Sequence, residues 1–157
     1  MEIDCSITKM ARGINDSMPK FCVLQAIKLL NARKKLIKKS IISLLGLAFR
    51  GGVSDTRLSP TYTVIEEFLK LKPREIRIHD PLVKNDPMLP KEKNIILSSR
   101  LDEVLNDTDL VMIVADHKEY QRLNPDLLSE QVVVYDGRGI LDRKKFDSRR
   151  FSVIGSR

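Results

Sequence analysis

Short apolar runs alternate with polar, helix-like segments along most of this chain, and that alternation predicts its fold. Several runs, such as residues 41–45 and 110–115, are almost wholly apolar, which is typical of strands buried on both faces. Six strands are expected, at residues 41–45, 75–79, 95–97, 110–115, 132–135 and 151–154. Helical patterns lie between some of them, at residues 61–71 and 101–105. Such alternation predicts an α/β, Rossmann-like fold with a mainly parallel sheet and helices on both faces.

The first 31 residues have a helical pattern and precede the sheet as an N-terminal helical segment. Residues 14–19 are expected to interrupt it, because Asp16 or Ser17 can cap a second helix with Pro19 in its first turn. Core packing is the favoured role of the apolar positions, which are Ile3, Ile7, Met10 and Ile14 in the first helix and Phe21, Leu24, Ile27 and Leu30 in the second. The helical pattern starts almost at the first residue without a capping side chain, which suggests a fragment of a longer protein.

Composition places the chain among ordinary globular proteins. Its 157 residues are enough for one domain with a hydrophobic core, and 42% of them are hydrophobic. No apolar run approaches the ~20 residues that span a bilayer, and the N-terminus lacks the apolar segment of a signal peptide. We therefore expect a cytoplasmic protein without a membrane partner. Cys5 and Cys22 form no CxxC pair, so neither a disulfide nor a metal site is expected.

Positive charge is concentrated in two segments, residues 33–39 and 143–150, and the formal net charge is +7. Such basic runs raise the possibility of nucleic-acid binding. They lack the interleaved aromatic side chains on which bases stack, and aromatic residues make up only 5% of the chain. We therefore expect no nucleic-acid partner and favour a solvated basic face or attraction of anionic substrates.

The segment from Ser40 to Pro60 has the strongest functional pattern. It reads as a buried strand, a long polar loop and a helix that Ser59 caps and Pro60 begins. Ligands of α/β sheets bind beyond the carboxyl ends of strands, and helix N-termini favour anions. Since Arg50 and Arg57 lie in this loop, an anionic and phosphorylated ligand is the functional hypothesis.

The loop does not match a standard phosphate-binding motif. Gly46 and Gly51 have the spacing of a P-loop, but Gly52 and Val53 follow where lysine and serine or threonine are required. The pattern is not GxGxxG either. A surface loop whose glycines supply only turn geometry is the alternative.

Four segments, in order, resemble the UDP-glucose/GDP-mannose dehydrogenase family. Residues 46–60, GLAFRGGVSDTRLSP, are similar to its GLAFK…D(D/T)RESP segment. Residues 11–21, ARGINDSMPKF, resemble ARxINDSMPxY, and residues 77–83, RIHDPLV, resemble VYDPLV with its flanking residues. Residues 132–142, VVVYDGRGILD, are similar to VVxDGRxxLD. Together they cover most of the chain, which makes the resemblance far more specific than any one motif.

The resemblance implies a NAD-dependent UDP-sugar 6-dehydrogenase, which oxidises an alcohol at C6 to a carboxylate in two hydride transfers. Residues 40–157 would be its C-terminal UDP-sugar-binding domain, and residues 1–39 the end of a central dimerisation helix with a connecting helix. A missing N-terminal domain would bind most of the NAD, so the fragment alone is expected to be inactive. The full-length protein would be a homodimer. The implied substrate is UDP-N-acetylmannosamine. The alternatives are UDP-glucose and a non-catalytic nucleotide-binding or dimerisation module.

The family's roles carry over to three arginines. Arg50 stands where the family has a lysine that reaches the substrate, and arginine keeps the charge with a different geometry. Arg138 matches an arginine that contacts the nucleotide part of the substrate, and Arg57 matches one that contacts the cofactor. The alternatives are a loop arginine bonded to carbonyl groups for Arg138 and a surface pair with Asp55 for Arg57.

Other polar residues are assigned structural roles. The family's nucleophilic cysteine lies in GGxCxPKD, which neither Cys5 nor Cys22 matches, so this chain has no catalytic residue. Asp80 and Asp116 end strands and are favoured as turn or cap residues over ribose ligands. His79 is expected to pack or to lie at the surface, and His117 to start a helix.

Overall fold

The computed structural model describes residues 5–155, and its centre is a six-stranded sheet in which every neighbouring pair of strands is parallel. The strands are β1 Ile41–Leu45, β2 Glu75–His79, β3 Ile95–Ser98, β4 Leu110–Ile113, β5 Val133–Asp136 and β6 Phe151–Val153. Their spatial order is β3-β2-β1-β4-β5-β6, which is that of doubly wound nucleotide-binding folds. The predicted α/β, Rossmann-like fold is confirmed, and the strand order reverses between β1 and β4.

Two helices cover one face of the sheet. They are α1 Ser6–Ala32 and α2 Pro60–Lys70, and both contribute to one apolar cluster with β1, β2, β4 and β5. The other face is covered by the short helix α3 Leu101–Leu105 and by the 3₁₀ turns Lys118–Arg122 and Pro125–Leu127 with their flanking residues. Further 3₁₀ turns lie at Ile37–Lys39 and Arg143–Lys145. The prediction of helical cover on both faces is therefore confirmed.

The start of α2 is determined locally by its sequence. The Ser59 hydroxyl oxygen accepts a hydrogen bond from the Thr61 N–H at 3.2 Å, and Pro60 is the first helical residue, as predicted. The helix ends before Lys72, whose positive φ of 55° and following proline stop it. The sequence thus sets both ends of α2. Because α2 follows β1 along the chain, its N-terminus lies at the carboxyl edge of the sheet.

The predicted break at residues 14–19 is wrong, because α1 is one helix of 27 residues with Pro19 inside it. Proline removes only one N–H donor, which would bond the carbonyl of Asn15, and Asn15 is exposed to solvent. The Ser17 hydroxyl donates to the Ile14 carbonyl at 2.7 Å rather than capping a second helix. The ring of Pro19 is buried against the body of the protein.

Most of the apolar positions of α1 that the sequence predicts to pack in the core lie on its exposed face instead. Those on its buried face are Pro19, Cys22, Val23, Ala26 and Leu30. In contrast, Ile7, Met10 and Ile14 are 83%, 70% and 59% exposed, and Phe21 and Leu24 are about half exposed. Ile27 is half-buried, and Ile3 lies outside the described residues. All residues from 5 to 17 are exposed, so the first half of α1 has no sheet to pack against.

Candidate functional site

A cleft of about 620 Å³ lies at the carboxyl edge of the sheet, beside the point where the strand order reverses. Its walls come from α1, the loop after β1, the start of α2, the end of β4 and the loop after β5. Arg50 and Arg138, which sequence reasoning assigned to substrate, both line this carboxyl-edge cleft. Two loops, whose arginines lie 88 positions apart in the sequence, thus bring cations to one concave surface.

The loop after β1 is fixed at its start by a buried carboxylate. Asp80 follows β2, is fully buried, and accepts hydrogen bonds from the backbone N–H groups of Leu47 at 2.8 Å and Ala48 at 2.9 Å. Its other oxygen accepts from the Leu82 N–H. Both Asp80 oxygens accept hydrogen bonds from backbone donors, so this side chain stabilises the loop and is not free to bind a ribose. This agrees with the favoured prediction that Asp80 is a turn or cap residue.

The middle of the same loop rests on the residues that follow β4. The Gly51 N–H donates to the Asp116 carboxylate at 2.8 Å, and the Gly52 N–H donates to Nδ1 of His117 at 3.3 Å. A Cβ atom on Gly51 would lie 2.2 Å from the Asp116 carbonyl oxygen, so no larger residue fits without a shift of the backbone. Gly51 is therefore needed for close backbone approach, and not only for turn geometry.

The loop after β5 carries Arg138 into the carboxyl-edge cleft. Asp136, at the end of β5, is fully buried and accepts hydrogen bonds from the N–H groups of Arg138, Gly139 and Leu141. The Arg138 guanidinium is partly exposed and lies 3.4 Å from the Asp116 carboxylate. The Gly51 N–H, and to a lesser degree Arg138, lower the pKa of Asp116. Asp116 thus links both arginine-bearing loops.

Arg57 lies outside the carboxyl-edge cleft. Its guanidinium binds the Asp55 carboxylate through two hydrogen bonds, at 2.8 and 2.9 Å, and holds the pKa of Asp55 at about 2. A second, shallower pocket contains Arg57 together with Arg50 and the exposed side chain of Leu58. The structure therefore groups Arg50 with each of the other arginines, but does not put all three in one cleft.

Comparison with known proteins shows that the sequence of this chain matches a protein family. The sequence pattern described as "UDP-glucose/GDP-mannose dehydrogenase family, UDP binding domain" matches residues 43–143. The chain belongs to this family. The match extends from the middle of β1 past β5 and includes both loops that carry Arg50 and Arg138.

Several family members are similar to almost the whole chain. UDP-N-acetyl-D-mannosamine dehydrogenase of Pyrococcus horikoshii is 28% identical over 141 residues, which are 88% of this chain and 31% of that protein. Its solved structure covers 98% of this chain with a TM-score of 0.81. NDP-N-acetyl-D-galactosaminuronic acid dehydrogenase of Methanosarcina mazei Go1 covers 97% of this chain, with 27% identity and a TM-score of 0.83. The chain spans about a third of the length of these family members.

The thiols of the described residues are not placed for the family's chemistry. Cys22 is buried, and burial raises the pKa of its thiol, although a hydrogen bond from the Tyr135 hydroxyl at 3.6 Å acts in the opposite direction. Cys5 is exposed at the start of α1, away from the sheet. Within residues 5–155, no group of histidine, cysteine and acidic side chains is arranged to hold a metal ion.

The residues after the strands do not form a complete dinucleotide site of their own. The loop after β1 is not the glycine-rich turn that accepts a pyrophosphate, and the carboxylate after β2, Asp80, is buried beneath it. Asp136 at the end of β5 likewise accepts three backbone N–H groups. Residues 5–155 by themselves therefore do not fit NAD as a whole.

Sequence reasoning missed a buried polar cluster beneath the carboxyl-edge cleft. His117 precedes a 3₁₀ turn, as its assignment to a helix start implies, but its side chain is only 3% exposed. Its ring packs edge-on against Tyr120, which packs in the same way against the buried His79. The signal was present in the sequence: aspartates follow three strands, at positions 80, 116 and 136, and histidines flank two of them.

Proposed function

We propose that this chain is the UDP-sugar-binding part of a nucleotide-sugar 6-dehydrogenase and holds the UDP moiety in the carboxyl-edge cleft. The observation that supports the proposal is the convergence of Arg50 and Arg138 on that cleft, beside the reversal of strand order. Residues 40–157 form the UDP-sugar-binding domain in this proposal. Residues 1–39 are the end of a central dimerisation helix and its connection to the sheet.

Charge and geometry favour a diphosphate as the ligand. Each guanidinium can donate two parallel hydrogen bonds to phosphate oxygens, and two of them offset much of the charge of a diphosphate. Arg138 already faces a carboxylate, Asp116, at 3.4 Å, so it can exchange one anionic partner for another without crossing the cleft. The N-terminus of α2, whose first residue Pro60 lines the same cleft, adds a favourable dipole.

The reaction proposed for the whole protein is oxidation of the C6 alcohol of UDP-N-acetylmannosamine to a carboxylate, with NAD accepting hydride in two steps. The named activity of several relatives supports this substrate, and UDP-glucose is the alternative. In this chain Arg57 would contact NAD that is bound mainly by another domain. Because the described residues provide neither a complete NAD site nor a reactive thiol, the chain alone is proposed to bind UDP without turnover.

The outer face of α1 supports a homodimer. Ile7, Met10, Ile14, Phe21 and Leu24 are exposed and recur at three-, four- and seven-residue steps on the side of the helix opposite its buried face. That spacing is the a/d pattern of helices that pair with another helix.

No helix in residues 5–155 has the length and apolarity for crossing a membrane. The cytoplasmic location stays a prediction.

The test is the affinity for UDP of matched arginine variants, measured by isothermal titration calorimetry. Arg50→Ala and Arg138→Ala are each expected to weaken binding about tenfold or more, because each removes charge-assisted hydrogen bonds to phosphate. Arg149→Ala is the control: Arg149 pairs with Asp147 as Arg57 pairs with Asp55, but it precedes β6 and lies at the opposite edge of the sheet. Equal affinities for all three variants and the original chain would contradict the proposed site.

A further inference from the structure

A buried polar chain connects the loop that carries Arg50 to the end of β2. His117 accepts the Gly52 N–H at Nδ1, and its Nε2 lies 3.3 Å from the Asp80 carboxylate. The same oxygen of Asp80 accepts the N–H groups of Leu47 and Ala48. His117 and Asp80 are 3% and 0% exposed, so two buried side chains hold both the start and the middle of one functional loop.

The hydrogen bond from Gly52 determines the tautomer of a neutral imidazole. Nδ1 can accept an N–H only through its lone pair, so the single proton of a neutral ring is on Nε2. There it faces Asp80, but it has no aligned hydrogen-bond partner among the described residues. Removal of the Nδ1 acceptor would leave the Gly52 N–H without this hydrogen bond.

The other polar groups around His117 come from three segments. Tyr120 packs edge-on against its ring, with centroids 5.5 Å apart. Beyond Tyr120 lies His79 of β2, with Glu119 at 3.5 Å from its Nδ1. Asp80 after β2 lies 3.3 Å from Nε2 of His117, and Asp116, beside His117 in sequence, pairs with Arg138.

The position of His117 suits control of binding and not chemistry. It does not line the carboxyl-edge cleft, and its side chain is buried. Gly52 follows Arg50 by two residues, so a change in the Gly52 contact moves the backbone from which the Arg50 side chain extends. Gly51, between them, already packs against the Asp116 backbone, so this segment cannot move closer to the residues after β4.

We propose that His117 is a positioning residue, whose Nδ1 holds Gly52 and so places Arg50 for binding of the nucleotide's phosphates. This rests on the proposed function for its ligand, UDP. The role makes UDP affinity depend on a side chain that does not touch the ligand. The Asp80 carboxylate, 3.3 Å from Nε2, favours the tautomer with its proton there and so leaves Nδ1 free to accept.

The test compares His117→Asn with His117→Ala in UDP titrations at pH 7.5. Asparagine keeps an acceptor near the position of Nδ1, whereas alanine has none. We expect His117→Ala to bind about three- to tenfold more weakly, which is the usual contribution of one hydrogen bond, and His117→Asn to bind nearly as the original chain does.

An alanine variant that binds UDP as the original chain does would overturn the proposal, as would an asparagine variant that binds as poorly as the alanine variant. Circular dichroism establishes that each variant is folded.

A second measurement needs no ligand. In nuclear magnetic resonance spectra, the amides of Gly52 and Arg50 should shift between the original chain and His117→Ala, and should return toward their original positions in His117→Asn. An Arg50 amide that is unchanged in His117→Ala would overturn the proposal even if UDP binds. Absence of UDP binding to the original chain would instead contradict the proposed function, with the coupling of Gly52 to His117 still measurable.

Discussion

Individual carboxylates after the strands organise the carboxyl edge of this sheet. Asp80, Asp116 and Asp136 each accept at least one backbone N–H from a loop that borders the cleft. The sequence predicted that Asp80 and Asp116 end strands and favoured turn roles for them. It could not reveal that they hold the loop after β1, because those contacts join residues 32 to 65 positions apart.

Removal of the Asp80 carboxylate tests how strongly it supports that loop. Asp80→Ala leaves the backbone N–H groups of Leu47, Ala48 and Leu82 without their acceptor, and Leu47 and Ala48 are buried. We expect the free energy of unfolding to fall by about 2–4 kcal/mol, since unsatisfied buried donors are costly. Urea denaturation measures this loss. Asp80→Asn, which keeps one acceptor oxygen, should lose less, and equal stability of Asp80→Ala and the original chain would refute the assigned role.

His79 gives the protein a pH-dependent stability. Burial lowers the pKa of its imidazole, while Glu119 and the Ser99 carbonyl act in the opposite direction. The unfolded chain, with an ordinary histidine pKa of about 6.5, therefore binds this proton first as the pH falls. Stability is complete above that value and falls on acidification below it, by at most about 1.4 kcal/mol per pH unit.

Urea denaturation of His79→Asn at pH 7.5 and 5.5 measures that contribution. The variant is expected to be less stable at pH 7.5, because it loses contacts to the Tyr120 hydroxyl and the Ser99 carbonyl. Its loss of stability between the two pH values should nevertheless be smaller than that of the original chain. An equal or larger loss in the variant would show that His79 is not the titrating group.

Among the elements, the strands were predicted best and α1 worst. An apolar run gave β1, and the alternation of Ile76 and Ile78 with charged neighbours gave β2, each with the bounds that the structure shows. In α1 the pattern misled for two reasons. A proline tolerated at an exposed carbonyl does not break a helix, and an apolar stripe does not reveal whether it faces its own core or another molecule.

The exposed stripe of α1 predicts self-association. Met10→Glu and Ile14→Glu each put a charge into the a/d positions of the proposed helix pair, which strongly disfavours burial there. Sedimentation equilibrium should show a dimer for the original chain and a shift toward monomer for either variant. Thr8→Glu adds the same charge to the other side of the helix and should not change the mass. A monomeric original chain at all concentrations would contradict the proposal.

The whole molecule has two unlike edges. Arg50 and Arg138 mark the carboxyl edge, where the cleft lies, whereas the exposed Lys39, Lys72 and Arg74 precede β1 and β2 and so lie at the amino edge. The net charge of +7 therefore does not by itself support the proposed site, because much of it is remote from the cleft. The sequence predicted the fold and one shared ligand edge, but only the structure shows that Arg50 and Arg138 line the same cleft and that Arg57 does not.

A titration with UDP followed by amide chemical shifts tests the central claim most directly, because it reports both binding and place. We predict saturable shifts at the amides of Arg50, Gly137 and Arg138, which line the carboxyl-edge cleft, and constant amides at Lys39 and Lys72 on the amino edge. Affinity is expected to be weak, since one lobe supplies only part of the contacts. Shifts concentrated at the amino edge, or no shift at millimolar UDP, would contradict the account.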